Sequence, residues 1–353
     1  MNSTKLGNFV LFADDTNIFV VGKDEQEVYS NANIILGEVY EYMNKNQLHI
    51  NISKSVYMHF QPGRWSSCAR VREYGSEKYV KHAGHTLSRV DKVKFLGVII
   101  DDKLTWEPQV EHLKEKLNSS IAVIKRIMKF IPESEYHKLY NALFKSHLSY
   151  CISCWGGIPN YKLESLFSIQ KRCIRLLFGK QLTFDHSGFY ETCARARTYQ
   201  QHMAKKDFQL EHTKPIFNEE KILSLHHLYM QHIFVDLFKI VKYRTPISLY
   251  ELFNPSPRTT NFLMCVPRIN LELSKQNFVF SGSLIWNSLI RRLLNRCSPN
   301  ENGIMVPGSS ECSDLSAPIS LIKTRLKDIL LKTQMLETPG RAKEWMPHNN
   351  FTP

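Results

Sequence analysis

The chain has 353 residues, of which 43% are hydrophobic, enough to bury one or two cores. Its 46 Lys and Arg against 33 Asp and Glu give a net charge of +13, which favours a polyanionic partner, most often nucleic acid. Eight irregularly spaced cysteines argue against a disulfide framework. No stretch predicts a membrane span or a secretory signal, so we expect a nuclear or cytoplasmic protein without a membrane partner.

The first sixty residues predict a hairpin, a helix and a strand, in that order. Residues 9–12 and 18–21 are short apolar runs joined by the polar sequence ADDTN, a pattern typical of a β-hairpin. Apolar side chains recur at helical spacing through residues 25–45, which predicts an amphipathic helix. Residues 48–60, LHINISKSVYMHF, alternate and predict a strand that is interrupted near residues 51–53.

A loop and one more strand precede a change to helical patterns. Residues 61–76 are rich in Gly, Ser, Arg and Pro, which predicts a loop, and KFLGVII at residues 94–100 predicts a single strand. Apolar residues then step by three and four along three predicted helices, at residues 113–131, 136–144 and 163–177.

Most of the excess positive charge lies in this helical part. Between residues 113 and 206 there are 16 Lys or Arg against 6 Asp or Glu, a local net charge of +10. Charge concentrated in this way favours contact with phosphates, and a merely solvated charged face is the alternative.

The remaining residues show a less regular pattern. We predict one or two helices in residues 219–243, a loop at 246–267, a strand followed by a helix at 278–294, a polar linker at 296–317 and a last helix at 318–336. A disordered tail is expected after that helix. Together these elements predict an α+β fold, in which an antiparallel hairpin and a helix are followed by mostly helical regions.

Two adjacent carboxylates, Asp14 and Asp15, stand in VLFADDTNIFVV at residues 10–21. One interpretation is a solvated turn, because Asp favours turns. The other is a metal site, since nucleotidyl transfer uses two divalent cations about 3.5–4 Å apart and Mg²⁺ binds carboxylates together with substrate phosphates and water. Adjacent aspartates on a tight hairpin would project close together from a rigid support. The dipeptide alone leaves both interpretations open.

Further motifs follow the Asp pair along the chain. In order they are MNKNQLHINISKSVYMHF (43–60), KFLGVIIDDKLTWEPQVEHLKEK (94–116), HLSYCISCWGG (147–157), LESLFSIQKRCIRLLFG (163–179) and GSLIWNSL (282–289). With FADD and these segments in this order, the sequence resembles the reverse transcriptases of non-LTR (LINE-like) retrotransposons, particularly the Jockey and related elements, over roughly residues 8–331. FADD matches the aromatic-x-Asp-Asp box of that family, and Ser55 stands where the family usually has Thr.

The resemblance implies an RNA-directed DNA polymerase, which transfers nucleotides to a primer 3′ end on an RNA template with Mg²⁺ as cofactor. It implies that Asp14 and Asp15 are the metal-binding carboxylates of a polymerase palm. Lys54 would be a general acid toward the departing pyrophosphate, with a solvated lysine at a strand edge as the alternative.

The resemblance also implies contacts with nucleic acid. Phe95, Leu96 and Gly97 would form the primer grip, where Gly97 would let the backbone approach the nucleic acid closely. An ordinary core strand is the alternative for Phe95 and Leu96.

The basic helices would be the polymerase thumb. Lys171, Arg172 and Arg175 share one side of a predicted helix and would contact the phosphates of an RNA–DNA hybrid. The implied partners are an RNA template and a DNA primer, with dNTP bound only by the full-length parent protein.

The family's polymerase also needs a third aspartate upstream of FADD and a fingers region that holds the nucleotide. Only thirteen residues precede Asp14. We therefore expect the C-terminal part of a reverse transcriptase that is catalytically incomplete by itself. Three interpretations stay open: a truncated polymerase, a non-enzymatic module that binds RNA or an RNA–DNA hybrid, and a fragment without a stable role. The expected parts are a partial palm (1–107), a thumb (108–206), a C-terminal region (207–295), a linker (296–317), and a terminal helix with its tail (318–353).

Overall fold

The computed structural model describes residues 6–60, 80–82, 85–179, 213–253, 263–268, 277–294 and 318–336. The chain divides into two compact units, Met1–Pro108 and Gln109–Pro353. The first contains short strands and one long helix, and the described elements of the second are helices. The protein is therefore α+β, which confirms the predicted fold class.

The first unit begins with a two-stranded antiparallel hairpin. Strands β1 (Gly7–Phe12) and β2 (Asp15–Val20) pair so that Phe12 lies opposite Asp15, which leaves a turn of two residues. The sequence predicted shorter strands and a five-residue connection. The observed hairpin is tighter because the polar residues after the turn belong to a paired strand, from which they project without interrupting the backbone hydrogen bonds.

Helix α1 (Glu25–Lys45) covers one face of this hairpin, and its bounds confirm the sequence prediction. Asp24 caps the helix, because its carboxylate accepts a hydrogen bond of 2.8 Å from the backbone N–H of Glu27. A Cβ atom on Gly7 would lie 2.7 Å from Cδ1 of Ile35, which is fully buried. Glycine at that position therefore allows the helix to approach β1 closely.

The predicted strand over residues 48–60 is mostly replaced by a turn. A short 3₁₀ helix (Ile52–Lys54) forms because the Asn51 side-chain oxygen accepts hydrogen bonds from the Ser53 hydroxyl (2.7 Å) and from the Lys54 N–H (3.3 Å). Only two residues then remain extended. The short strands of this region are β3 (Val56–Tyr57), β4 (Lys81–His82), β5 (His85–Thr86) and β6 (Ser88–Arg89), with β3 parallel to β6 and β4 antiparallel to β5.

The single strand predicted at residues 94–100 is wrong, because the segment is a second hairpin. Strands β7 (Lys92–Phe95) and β8 (Val98–Asp101) pair around a two-residue turn. Both turn residues have positive φ, 45° at Leu96 and 84° at Gly97. Such φ values match the twist of a hairpin, and Gly97 adopts them without steric cost.

The second unit is built from helices. A π-helical turn (Asn141–Lys145) joins two of them into one continuous helical segment. The helices are α2 (Glu107–Ile127), α3 (Tyr136–Tyr140), α4 (Ser146–Ser149), α5 (Ile152–Trp155), α6 (Asn160–Phe178), α7 (Lys214–Glu219), α8 (Leu225–Tyr243), α9 (Ile247–Tyr250), α10 (Phe278–Leu294) and α11 (Ile319–Leu336).

Helix α8 lies at the centre of this unit and contacts α5, α6, α10 and α11. It buries residues on most of its circumference, as expected of a helix surrounded by others. The fully buried Trp286 of α10 stacks on Phe234 of α8 with ring centroids 4.9 Å apart. These contacts join segments on both sides of residue 206 into one core, so the predicted boundaries at 206 and 295 fall inside one compact unit.

Two buried glutamines hold the connection between α7 and α8. The amide oxygen of Gln170 accepts a hydrogen bond from the Leu225 N–H (2.8 Å), and its amide nitrogen donates to the Leu223 carbonyl (3.0 Å). Gln334 accepts from the Ser224 N–H (3.0 Å) and donates to the carbonyl two residues earlier (3.2 Å). Backbone groups that burial would otherwise leave unpaired are thereby satisfied.

The later helices both confirm and correct the sequence analysis. One helix within residues 219–243, α8, and the last helix at 318–336 are confirmed, and α7 ends at Glu219, where the first range begins. A strand before the helix at 278–294 is wrong, since α10 begins at once, where the Asn277 side chain accepts a hydrogen bond of 2.9 Å from the Val279 N–H. The loop predicted at 61–76, the linker at 296–317 and the tail lie outside the described residues.

Candidate metal and nucleic-acid sites

The two predicted metal ligands lie together at the tip of the first hairpin. Asp14 is the second residue of the turn, and Asp15 is the first residue of β2, opposite Phe12. Both aspartates are exposed, and neither is in an ion pair with another described residue. Because directly paired residues share a face, Asp15 projects on the same face as Phe12 and Val10, which are 58% and 46% exposed.

The turn that presents these carboxylates is strained. Ala13 has φ of 51°, in the left-handed region that residues with a Cβ atom seldom adopt. A left-handed residue costs an L-amino acid about 1–2 kcal/mol, and such residues cluster at functional sites. The strain is part of the geometry that turns the chain within two residues and brings Asp14 and Asp15 to its tip.

The donor set of the hairpin fits a magnesium ion only in part. Exposed carboxylates are hard oxygen donors of the kind that Mg²⁺ binds through one or two residues, with water and substrate phosphates completing the shell. A pair of aspartates supplies too few ligands for two ions by itself, and the described residues contain no group of three potential metal ligands. Asp14 and Asp15 can therefore contribute to holding one ion, and a two-ion site would need further carboxylates.

The predicted primer grip lies at the turn of the second hairpin. Phe95 ends β7 and is half-buried, and Leu96 is 36% exposed in the left-handed region. The strand alternative for Leu96 is thus wrong, because it occupies the turn with Gly97. This hairpin and the one that carries Asp15 form separate two-stranded sheets in the part of the chain described.

Lys54 lies at the end of the 3₁₀ turn that precedes β3. Its residue is exposed, and its backbone N–H donates to the side chain of Asn51. Among the described strands, β3 pairs with β6 and not with either strand of the first hairpin. No shared ladder therefore joins Lys54 to Asp14 and Asp15 in the described residues.

The basic side of α6 is arranged as the sequence predicts. Leu166, Cys173 and Leu177 are buried, while Lys171 and Arg172 lie on the other side of the helix. Burial raises the pKa of the Cys173 thiol to about 12, so this thiol stays protonated and serves packing.

Among the described residues, no carboxylate forms an ion pair with the cations on this side. Lys171 lies over the ring of Phe167, with its Nζ 4.4 Å from the ring centroid, and Arg172 donates to the amide oxygen of Asn118. Arg175 has a buried Nε without a hydrogen-bond partner in the described residues. A ring and a neutral amide orient two of these cations without cancelling their charges, so all three can attract an anion.

A second set of basic residues was not predicted from the sequence. Lys145 ends the π-helical turn, and burial together with the nearby Lys323 and Lys327 lowers its pKa. The four-residue spacing of Lys323 and Lys327 indicates one face of a helix. That this face meets Lys145 depends on how α11 packs, which local sequence patterns do not reveal.

None of the described helices is both long enough and apolar enough to cross a membrane. Comparison with protein-family models, curated proteins and solved structures found no match.

Proposed function

We propose that the chain is the palm-and-thumb part of an RNA-directed DNA polymerase of the non-LTR retrotransposon type, incomplete as a catalyst by itself. The observation that carries the proposal is the strained two-residue turn at Ala13, which presents Asp14 and Asp15 together to solvent. A turn that only reversed the chain would be served better by glycine at the first position. A tight turn bearing two free carboxylates suits a metal-binding role.

In this proposal, Asp14 and Asp15 contribute ligands to a magnesium ion that, when bound, would neutralise charge on the transferred phosphates. The turn at Leu96 and Gly97 contacts the primer backbone, where the absence of a side chain at Gly97 permits close approach. Lys54 remains the proposed proton donor to pyrophosphate.

The catalytic part of the proposal is tested first with manganese, because carboxylate sites that suit Mg²⁺ also suit Mn²⁺, which is paramagnetic. We expect Mn²⁺ to broaden the NMR signals of the amides around Asp14 and Asp15. The double substitution Asp14→Asn and Asp15→Asn should abolish the broadening. Glu41→Gln is the control, because Glu41 is an exposed carboxylate on α1, paired only with Lys45.

Incorporation of labelled dNTP on an RNA template with a DNA primer completes this test. We expect none from the purified 353-residue chain with Mg²⁺, because two carboxylates cannot hold both ions. Incorporation that disappears in Asp15→Asn would show that the chain is a complete polymerase. Equal broadening in the double variant and in Glu41→Gln would refute the metal role.

The second candidate function is hybrid binding without chemistry, and the unneutralised cations of α6 favour it. Lys171, Arg172 and Arg175 present three positive charges along one side of a helix whose opposite side is buried. Phosphate contacts of this kind supply affinity that depends on salt and not on base sequence.

Fluorescence anisotropy with a labelled RNA–DNA hybrid, titrated over salt, tests this function. Neutralising Lys171 to Gln should reduce the slope of log K against log salt by about 1. Lys138→Gln is the control, because Glu135 already neutralises Lys138 at 2.7 Å. Equal slopes in both variants would exclude the α6 cations from the interface.

A further inference from the structure

A second group of cations lies on a different part of the helical unit. We call it the lysine cluster, and it consists of Lys145, Lys239, Lys323 and Lys327 together with His232. These residues come from three segments that are distant in sequence: the π-helical turn, α8 and α11. Helix α8 contacts both α4 and α11, which brings the three segments together.

One hydrogen bond locates α11 against α8 at the lysine cluster. The Gln231 amide donates to the backbone carbonyl of Lys323 at 3.4 Å, which places this part of α11 beside the residue that precedes His232. Lys323 and Lys327 are four residues apart and share one face of α11. Lys145 lies close enough to both to experience their charges.

The carboxylate that accompanies this cluster on α8 is already engaged. Asp236 accepts a hydrogen bond of 2.6 Å from the Ser153 hydroxyl and lies 3.5 Å from the Nζ atom of Lys239. With Asp328, which follows Lys327 on α11, two carboxylates accompany the four lysines, so an excess of two positive charges remains.

The charges of the cluster oppose one another in the free protein. Burial lowers the pKa of Lys145, and the charges of Lys327 and Lys323 lower it further. Burial also lowers the pKa of His232. The charge of Asp236 raises this pKa, and the charges of the nearby lysines lower it. A bound anion would relieve this repulsion, which gives the cluster a physical reason to attract one.

We propose that the lysine cluster binds the phosphate backbone of a nucleic acid, as a contact surface additional to the basic side of α6. The cluster is too long for one phosphate group, since His232 and Lys239 are seven residues apart, about 10 Å along a helix. A chain of phosphates matches that length, and the net charge of +13 favours the same ligand. The inference rests on the proposed function only in taking a nucleic acid as the ligand.

The test compares two neutralised lysines on the same helix. Lys323→Gln removes a charge from the cluster, and Lys332→Gln removes one from the opposite side of α11, where the residue is also exposed. Each full-length variant is titrated over salt with the labelled RNA–DNA hybrid. We expect Lys323→Gln to lose fivefold to tenfold in affinity near 100 mM salt and about 1 in salt slope, and Lys332→Gln to match the wild type.

The outcomes separate this inference from the proposed function. If Lys171→Gln loses affinity for the hybrid and Lys323→Gln does not, only the inference about the lysine cluster is overturned. If Lys323→Gln loses affinity and Lys171→Gln does not, only the proposed α6 contact is overturned. Equal loss in Lys323→Gln and Lys332→Gln, or a wild-type chain that does not bind hybrid at low salt, overturns the inference. The inference is also overturned if Lys323→Gln keeps its affinity for the hybrid and loses affinity only for vesicles that contain anionic lipid. That result would indicate that the cluster contacts a membrane surface.

Lysine acetylation followed by mass spectrometry keeps the test independent of how the variants fold. We expect hybrid to protect Lys323 and Lys327 of the wild-type chain from acetylation and to leave Lys332 reactive. Equal modification of all three residues with and without hybrid would overturn the inference.

Discussion

At the scale of single residues, the two proposed sites of the first unit share a backbone feature. Ala13 and Leu96 both occupy two-residue hairpin turns with φ near 50°, 51° and 45° respectively. Both are residues for which this region costs free energy, and the same cost could have been avoided with glycine. The strain at each turn therefore accompanies the reversal of the chain within two residues.

This strain can be measured at Ala13. Ala13→Gly should stabilise the hairpin by about 0.5–1 kcal/mol, because relief of the left-handed strain exceeds the entropy that glycine adds to the unfolded chain. Amide hydrogen exchange of β1 and β2 provides the measurement. The matched control is Ala32→Gly inside α1, which should destabilise by about 1 kcal/mol. Faster exchange in the Ala13 variant would show that the turn is relaxed.

At the scale of elements, close packing in the helical unit depends on one glycine. Gly156 follows α5 with an ordinary φ of −70°, which any residue can adopt. Glycine is needed there because there is no room for a side chain. A Cβ atom there would lie 2.9 Å from Cε2 of Tyr229 and 2.6 Å from the carbonyl oxygen of Ile152. The hydroxyl of Tyr229 donates to Ser281 at 3.1 Å, which holds the ring in place.

Substitution of this glycine should accordingly be costly. Gly156→Ala should lower the free energy of unfolding by about 1–3 kcal/mol, as overpacking of a core does. Gly282→Ala, inside α10, is the control, because a Cβ atom there would lie at ordinary contact distances from Phe253 and Leu237. That variant should be neutral or more stable by up to about 1 kcal/mol. Urea unfolding followed by circular dichroism compares them, and equal midpoints would contradict the packing argument.

Local patterns predicted the elements that are determined locally. Helix α1 matches to the residue, because its apolar spacing and the Asp24 cap lie within the helix and its flank. The β7–β8 hairpin was not predicted because KFLGVII is apolar apart from Lys94 and Gly97, and the break in the strand appears in the φ values at Leu96 and Gly97. The beginning of α10 was missed because β-branched and aromatic residues suit strands, whereas the helical surroundings favour a helix here.

The candidate sites divide in the same way. Asp14, Asp15 and the basic side of α6 could be identified from the sequence, since each is a local pattern. The lysine cluster could not, because Lys145 and Lys327 meet only through the packing of α11 against α8.

At the scale of the whole molecule, the helical unit has its own core. Its buried residues surround α8, and the two glutamine side chains satisfy the connection that begins this helix. Both cationic groups, that of α6 and the lysine cluster, belong to this unit. The properties proposed for it therefore need no contribution from the hairpins.

We expect residues 109–336 to fold when produced alone. The fragment should unfold cooperatively in urea with the midpoint of the helical transition of the full chain, because its core is internal. It should also retain hybrid binding with an unchanged salt slope. Circular dichroism and anisotropy provide the two measurements, and a fragment without cooperative unfolding would show that the first unit is required for folding.

The Gln334 hydrogen bonds have a consequence for the order of events during synthesis. They join residues 110 positions apart, so the start of α8 cannot be completed until the ribosome has released α11. At about 5–20 residues per second, that wait is on the order of ten seconds. During this interval the apolar side of α8 that α11 will cover is exposed to solvent on the nascent chain.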